Sequence, residues 1–125
     1  MGAPISYEKN SDLWVSNAAK DWFCEIVVSG ALLNGKDISS VFEEEPTIAG
    51  CYGVSGLGID MEGFFKYFGG KEGFVRHLEF CKQSADQLCK QNQSIDVLVN
   101  LLGWALHILA GGQISEGTDV YNSAP

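Results

Sequence analysis

Apolar residues recur at helical spacing along most of the chain. Over residues 11–34, Val15, Ala18, Ala19, Trp22, Phe23, Ile26 and Val27 fall at three- and four-residue steps. That is the pattern of a helix burying one wide face. Asp12, Asn17, Lys20, Asp21 and Glu25 lie largely outside the stripe. Ser11 is placed to cap the start, since its hydroxyl accepts an orphan amide proton. Asn34-Gly35 supplies a stop, because glycine takes the left-handed conformation without a side-chain clash. A shorter helix is predicted over 38–45, capped by Asp37 and ended before Pro46. Residues 50–73 hold eight of the fifteen glycines. Within them, 50–59 reads as a glycine-rich loop, and Asp60 caps a short aromatic helix over 61–68 that Gly69-Gly70 breaks.

The next helix is predicted over 71–91. Phe74, Leu78, Cys81, Ala85 and Leu88 step by four, three, four and three, a heptad seam that reads as core packing. Glu72 precedes Arg76, and Asp86 precedes Lys90, by four residues. Such pairs add only about 0.3 kcal/mol each, so the seam matters more. Ser94 caps a last helix over 95–110, closed by Gly111-Gly112 and apolar nearly all round, which marks a central helix covered by neighbours. Its exceptions, Asp96, Asn100, Gly103 and His107, form one line along the rod. Residues 1–10 and 113–125 read as loose ends, with Val120 and Tyr121 able to dock. The expected architecture is all-α: one domain, residues 1–125, a bundle of four to five helices around the central helix 95–110.

Composition narrows the function classes. Hydrophobic residues make up 46% of the chain, which excludes wholesale disorder. Sixteen acids against eight bases give a net charge of −8, which argues against binding a nucleic-acid backbone. The N-terminus lacks the basic-then-apolar run of a secretion signal. Met1-Gly2 with Ser6 formally matches an acylation pattern, a match so short that chance produces it often. The apolar stretch 95–110 is shorter than the roughly 20 residues a membrane span needs, so no membrane association is expected. Four cysteines without a paired spacing read as free thiols in a reducing cytoplasm.

Candidate chemistry is sparse. Gly53-Val54-Ser55-Gly56-Leu57-Gly58 fails the Walker, dinucleotide and nucleophile-elbow patterns, and reads as a turn or binding loop. His77 and Cys81 are four apart, as two metal ligands on one helix would be. No second paired spacing exists, so neither metal nor cofactor is expected. Asp96 and His107 lie about 16 Å apart along a helix and cannot touch. An enzyme using His77 or His107 as base is the weakest reading.

Charge distribution carries more. Asp37, Glu43, Glu44, Glu45, Asp60 and Glu62 lie between Lys36 and Lys66 with no base among them. An acidic face beside aromatic residues suits a basic protein partner. In size, acidity and absence of a catalytic motif, the chain resembles bacterial toxin-immunity proteins. That resemblance implies a non-catalytic inhibitor of a basic partner such as a toxin nuclease. Glu43, Glu44, Glu45, Asp60 and Glu62 would meet the partner, with Tyr52 and Phe65 as aromatic anchors. The alternative is a small-molecule-binding helical protein, its pocket lying between helices 61–68 and 95–110 and lined by Phe64, Phe68, Asn100, Trp104 and His107. A homodimer through an exposed tryptophan or the heptad seam is compatible with either.

Overall fold

The computed structural model describes residues 2–8 and 11–125. Two strands come first, β1 (Gly2–Ser6) and β2 (Asp12–Ser16), followed by α1 (Asn17–Leu33). Then come α2 (Val41–Glu44), α3 (Pro46–Ala49), β3 (Ile59–Asp60) and α4 (Glu62–Phe65), which runs into a 3₁₀ turn at Lys66–Phe68. The chain closes with α5 (Lys71–Gln83), α6 (Ala85–Leu88) and α7 (Ile95–Leu109). None of the described helices is long and apolar enough to cross a membrane.

The all-α expectation is corrected. A three-stranded sheet in the order β2-β1-β3 packs with the helices, β1 antiparallel to β2 and parallel to β3. Its signal is a period of two: Ala3, Ile5 and Tyr7 are buried, as are Leu13 and Val15, while Trp14 between them is exposed. In β-structure alternate side chains point to one face. Val15 also fits the helical spacing of the residues after it, so the period-3.6 stripe hides the short strand. The helix starts at residue 17 rather than 11, and its cap is Ser16, whose hydroxyl accepts from Ala19 N. Residues 2–6, expected as part of a loose end, are the central strand; that expectation for residues 1, 9 and 10 lies outside the described residues. Proline in a central strand is unusual because it lacks the ladder donor. Here β3 pairs only with Ile5 and Ser6, so on that side Pro4 meets Gly58. A Cβ on Gly58 would sit 2.3 Å from the Pro4 carbonyl oxygen.

The other helices follow the spacing with altered ends. The predicted 38–45 helix is the short α2, and Pro46 opens α3, where its fixed φ suits a first helical position. Asp60 accepts from Glu62 N at the start of α4. The predicted 71–91 helix is broken at Ser84 into α5 and α6. Phe74, Leu78, Cys81 and Ala85 are buried in the core. Neither expected ion pair on that helix forms among the described residues; Lys90, beyond the end of α6, pairs with Glu25 at 3.2 Å. Helix α5 packs on both α7 and α1. At the α1 contact a Cβ on Gly30 would lie 2.4 Å from Cys81 Sγ, so only glycine admits that approach.

The polar face of α1 is not left to water. Lys20 is completely buried, and its ammonium donates to the carbonyls of Cys51, Val54 and Leu57 at 2.6, 2.9 and 2.8 Å. Asp21 lies 3.4 Å from that ammonium and accepts from Gly53 N. Asn17 accepts from Gly56 N, and Tyr52 donates to Glu25 at 2.6 Å. Successive turns of α1 therefore grip the glycine-rich loop. Gly53 and Gly56 take φ of 77° and 82°, which lets the loop turn its carbonyls onto one cation.

Lys20→Met is expected to leave three carbonyls without their charged donor. The cost should be about 2–4 kcal/mol, read from the urea midpoint. Amide exchange at residues 51–57 should accelerate ahead of that of α7.

Candidate functional site

The acids singled out from the sequence lie on the stretch from α2 to α4, and their surroundings differ. Glu43, Glu44 and Glu62 are exposed. Glu44 also accepts from the Tyr67 hydroxyl at 3.4 Å. Glu45 accepts from Thr47 Oγ1 and pairs with Lys66 at 3.2 Å. It precedes α3, at a helix start, where the dipole favours an acid. Asp60 is half-buried in β3. The two aromatic anchors are engaged inside the molecule: Tyr52 is bonded to Glu25 and its ring lies 4.6 Å from that of Phe42. Phe65 packs between Tyr7 and Phe74.

The residues of the alternative pocket have different neighbours. Phe64 and Phe68 gather around the Phe74 ring. Asn100, Gly103, Trp104 and His107 receive the chain that follows α7. Asn100 Nδ2 donates to Tyr121 O at 2.9 Å and Trp104 Nε1 to Ser123 O at 2.8 Å. Gly103 faces Pro125, and His107 Nε2 lies 3.1 Å from Gln113 O. Val120 is buried, and the Tyr121 hydroxyl accepts from Ser16 N at 2.7 Å. The polar line on an apolar helix is thus the seat of the C-terminal segment, which the structure docks at Val120 and Tyr121.

A surface that sequence reasoning did not single out lies at the outer strand. Trp14 is 63% exposed and stands on β2, at one edge of the sheet. It borders a cavity of about 480 Å³ shared with Asp12, Ile108, Ile114 and Glu116. An adjoining cavity of about 260 Å³ runs along residues 114–118 and is again lined by Trp14, Asp12 and Glu116. Every charged residue lining these two cavities is an acid. The alternation Leu13-Trp14-Val15 was the available signal, since buried neighbours on a strand turn the middle residue outward.

His77 floors a third cavity, of about 340 Å³. Its Nε2 lies 2.8 Å from Val27 O; a carbonyl only accepts, so this nitrogen carries the proton. Its ring stacks on Phe68 with centroids 4.2 Å apart. Burial holds the imidazole below its usual pKa; the bond to Val27 works the other way, and the charge of Lys36 adds to the depression. Cys81 Sγ sits 3.4 Å from the same nitrogen, and burial pushes its thiol up to about 12, as it does for Cys24. Thiols so raised are not nucleophiles near neutral pH. Among the described residues no group of three or more His, Cys, Asp or Glu is arranged to hold a metal ion. Ser55 is exposed within the loop that Lys20 grips.

The His77 shift fixes a sign. The unfolded chain takes up a proton near pH 6.5 while the folded one still holds a neutral ring. This contribution to stability is whole above that pH and is lost as the pH falls. Urea unfolding between pH 7.5 and 5.5 should show stability declining by up to about 1.4 kcal/mol per pH unit, the slope for one proton. His77→Gln should flatten that decline. Compared with family models, with curated proteins and with solved structures, the chain matches none.

Proposed function

We propose that the protein is a non-catalytic binding module that takes a basic segment of a partner protein at the Trp14 edge. The observation carrying this reading is one large aromatic side chain, 63% exposed, beside cavities whose charged lining is Asp12 and Glu116. Tryptophan is enriched among residues that dominate binding energy, and an outer strand offers those backbone groups not already engaged, as Ser16 N is by Tyr121, to an added extended segment. A cationic partner supplies the charge that Asp12 and Glu116 lack. A second copy of this chain would instead bring acids against acids, with a net charge of −8 on each.

Glu43, Glu44 and Glu62 enter this reading as a field rather than as contacts. They lie on the stretch from α2 to α4, around β3, while Trp14 is on β2, and the sheet order puts β3 and β2 at opposite edges. Two strand spacings separate those edges, about 10 Å. Charge at that distance raises the rate of encounter and is screened by salt. Tyr52 and Phe65, tied into the fold, keep structural roles.

The probe is a synthetic extended peptide of alternating lysine and valine, followed by tryptophan fluorescence and the Trp14 indole signal. Binding should weaken as salt is raised. Trp14→Ala should reduce affinity at least tenfold, about 1.4 kcal/mol, with little change in Tm because the side chain is exposed. An alternating glutamate and valine peptide should not bind. Equal binding by the Trp14→Ala variant, or of the acidic peptide, refutes the reading. Reversing Glu43, Glu44 and Glu62 to lysine should slow association about three- to tenfold at low salt and leave the dissociation rate nearly unchanged.

A further inference from the structure

A protein with a net charge of −8 has eight bases, and two of them, Lys36 and Arg76, line the His77 cavity. No acid lines it. Arg76 forms no ion pair among the described residues, although Glu72 stands one helical turn before it. Its guanidinium thus keeps its donors for something outside the chain. Lys36 is held from two sides, donating to Tyr67 O and lying 5.3 Å from the Phe68 ring centroid. An ammonium has three donors, so a cation positioned in this way retains others. The Asn34 amide, at the end of α1, lines the same cavity.

The remaining wall is aromatic. Phe68 stacks on His77 at 18° between ring planes, and Phe80 lies beyond it, 6.4 Å from the His77 centroid and at 24°. His77 is 6% exposed. Its Nε2 is committed to Val27, and Nδ1 has no hydrogen-bond partner among the described residues. The volume of about 340 Å³ falls within the range of small-ligand sites.

We infer that this cavity is a binding site for a small organic anion, a carboxylate or phosphate on a compact apolar body. The oxyanion meets Lys36, Arg76 and Asn34, and the apolar body lies against Phe68 and Phe80. The site differs from the Trp14 edge in charge and in place, and stands independently of it. Guanidinium and ammonium donors bind carboxylate and phosphate by the same charge-assisted hydrogen bonds, so the two oxyanions are separate arms of one test.

Phenyl phosphate and benzoate are titrated into the whole protein at pH 7 and constant ionic strength, followed by calorimetry and by ring signals in the NMR spectrum. At least one should bind saturably and shift His77 and Phe80 while the Trp14 indole stays in place. The one that binds more tightly identifies the oxyanion. Arg76→Glu, at an exposed position, should weaken binding at least tenfold with Tm unchanged, and Lys36→Met should weaken it as well. The proposal is overturned if neither compound saturates, or if benzylamine binds as tightly as the anions. It is also overturned if inorganic phosphate matches phenyl phosphate in affinity, or if Arg76→Glu binds normally.

Discussion

The buried ammonium of Lys20 is the interaction on which the arrangement of the first half depends. A charge removed from water is costly unless it is fully engaged, and here three loop carbonyls and the Asp21 carboxylate surround it. The geometry fixes residues 51–57 over the first turns of α1. That position delivers Ile59 and Asp60 alongside Ile5 and Ser6. Parallel pairing needs a long crossover, and this one passes through β2, α1, α2, α3 and the loop. With the loop held in this way, two residues are enough to complete the sheet.

The same economy governs the rest of the charge. Lys20 is consumed inside the fold, while Lys66 and Lys90 are matched to Glu45 and Glu25. Lys71 lies over the Tyr7 ring. Lys82 is exposed without an ion pair among the described residues, Lys36 and Arg76 stand together at one cavity, and the acids keep most of the outer surface. The molecule therefore presents two unlike surfaces: an aromatic edge flanked by carboxylates around Trp14, and a cationic cleft beside His77. Unlike surfaces select unlike ligands, because a like-charged ligand pays desolvation without recovering it.

Much of the helical framework was legible in the sequence. Ser94 followed by an apolar run identifies α7, and the Ser94 hydroxyl does accept from Val97 N. The steps from Phe74 to Ala85 identify the buried side of α5 and the start of α6. The sheet was not legible, because Leu13 and Val15 run directly into the α1 stripe, and Gly2-Ala3-Pro4 has weak strand character. The candidate sites were less legible still. Tyr52 and Phe65 have the composition of anchors, yet each is spent on partners far away in sequence, Glu25 for one and Tyr7 for the other. Trp14 carries no motif and becomes conspicuous only once β2 is an outer strand.

By itself the sequence determined where the long helices run, which of their faces are apolar, and that the chain is strongly acidic. These follow from local spacing and composition, since capping and amphipathic periodicity act within a few residues. Tertiary structure alone decided the fate of the polar positions. Lys20, placed by its spacing on a face that water would cover, became the buried clamp of the loop. Asn100 and Trp104 became the seat of the C-terminal segment, and Lys36 and Arg76 came to line the one cavity beside His77. A polar group's role is set by the partner that satisfies it, and here those partners come from segments distant along the chain, which no local pattern encodes.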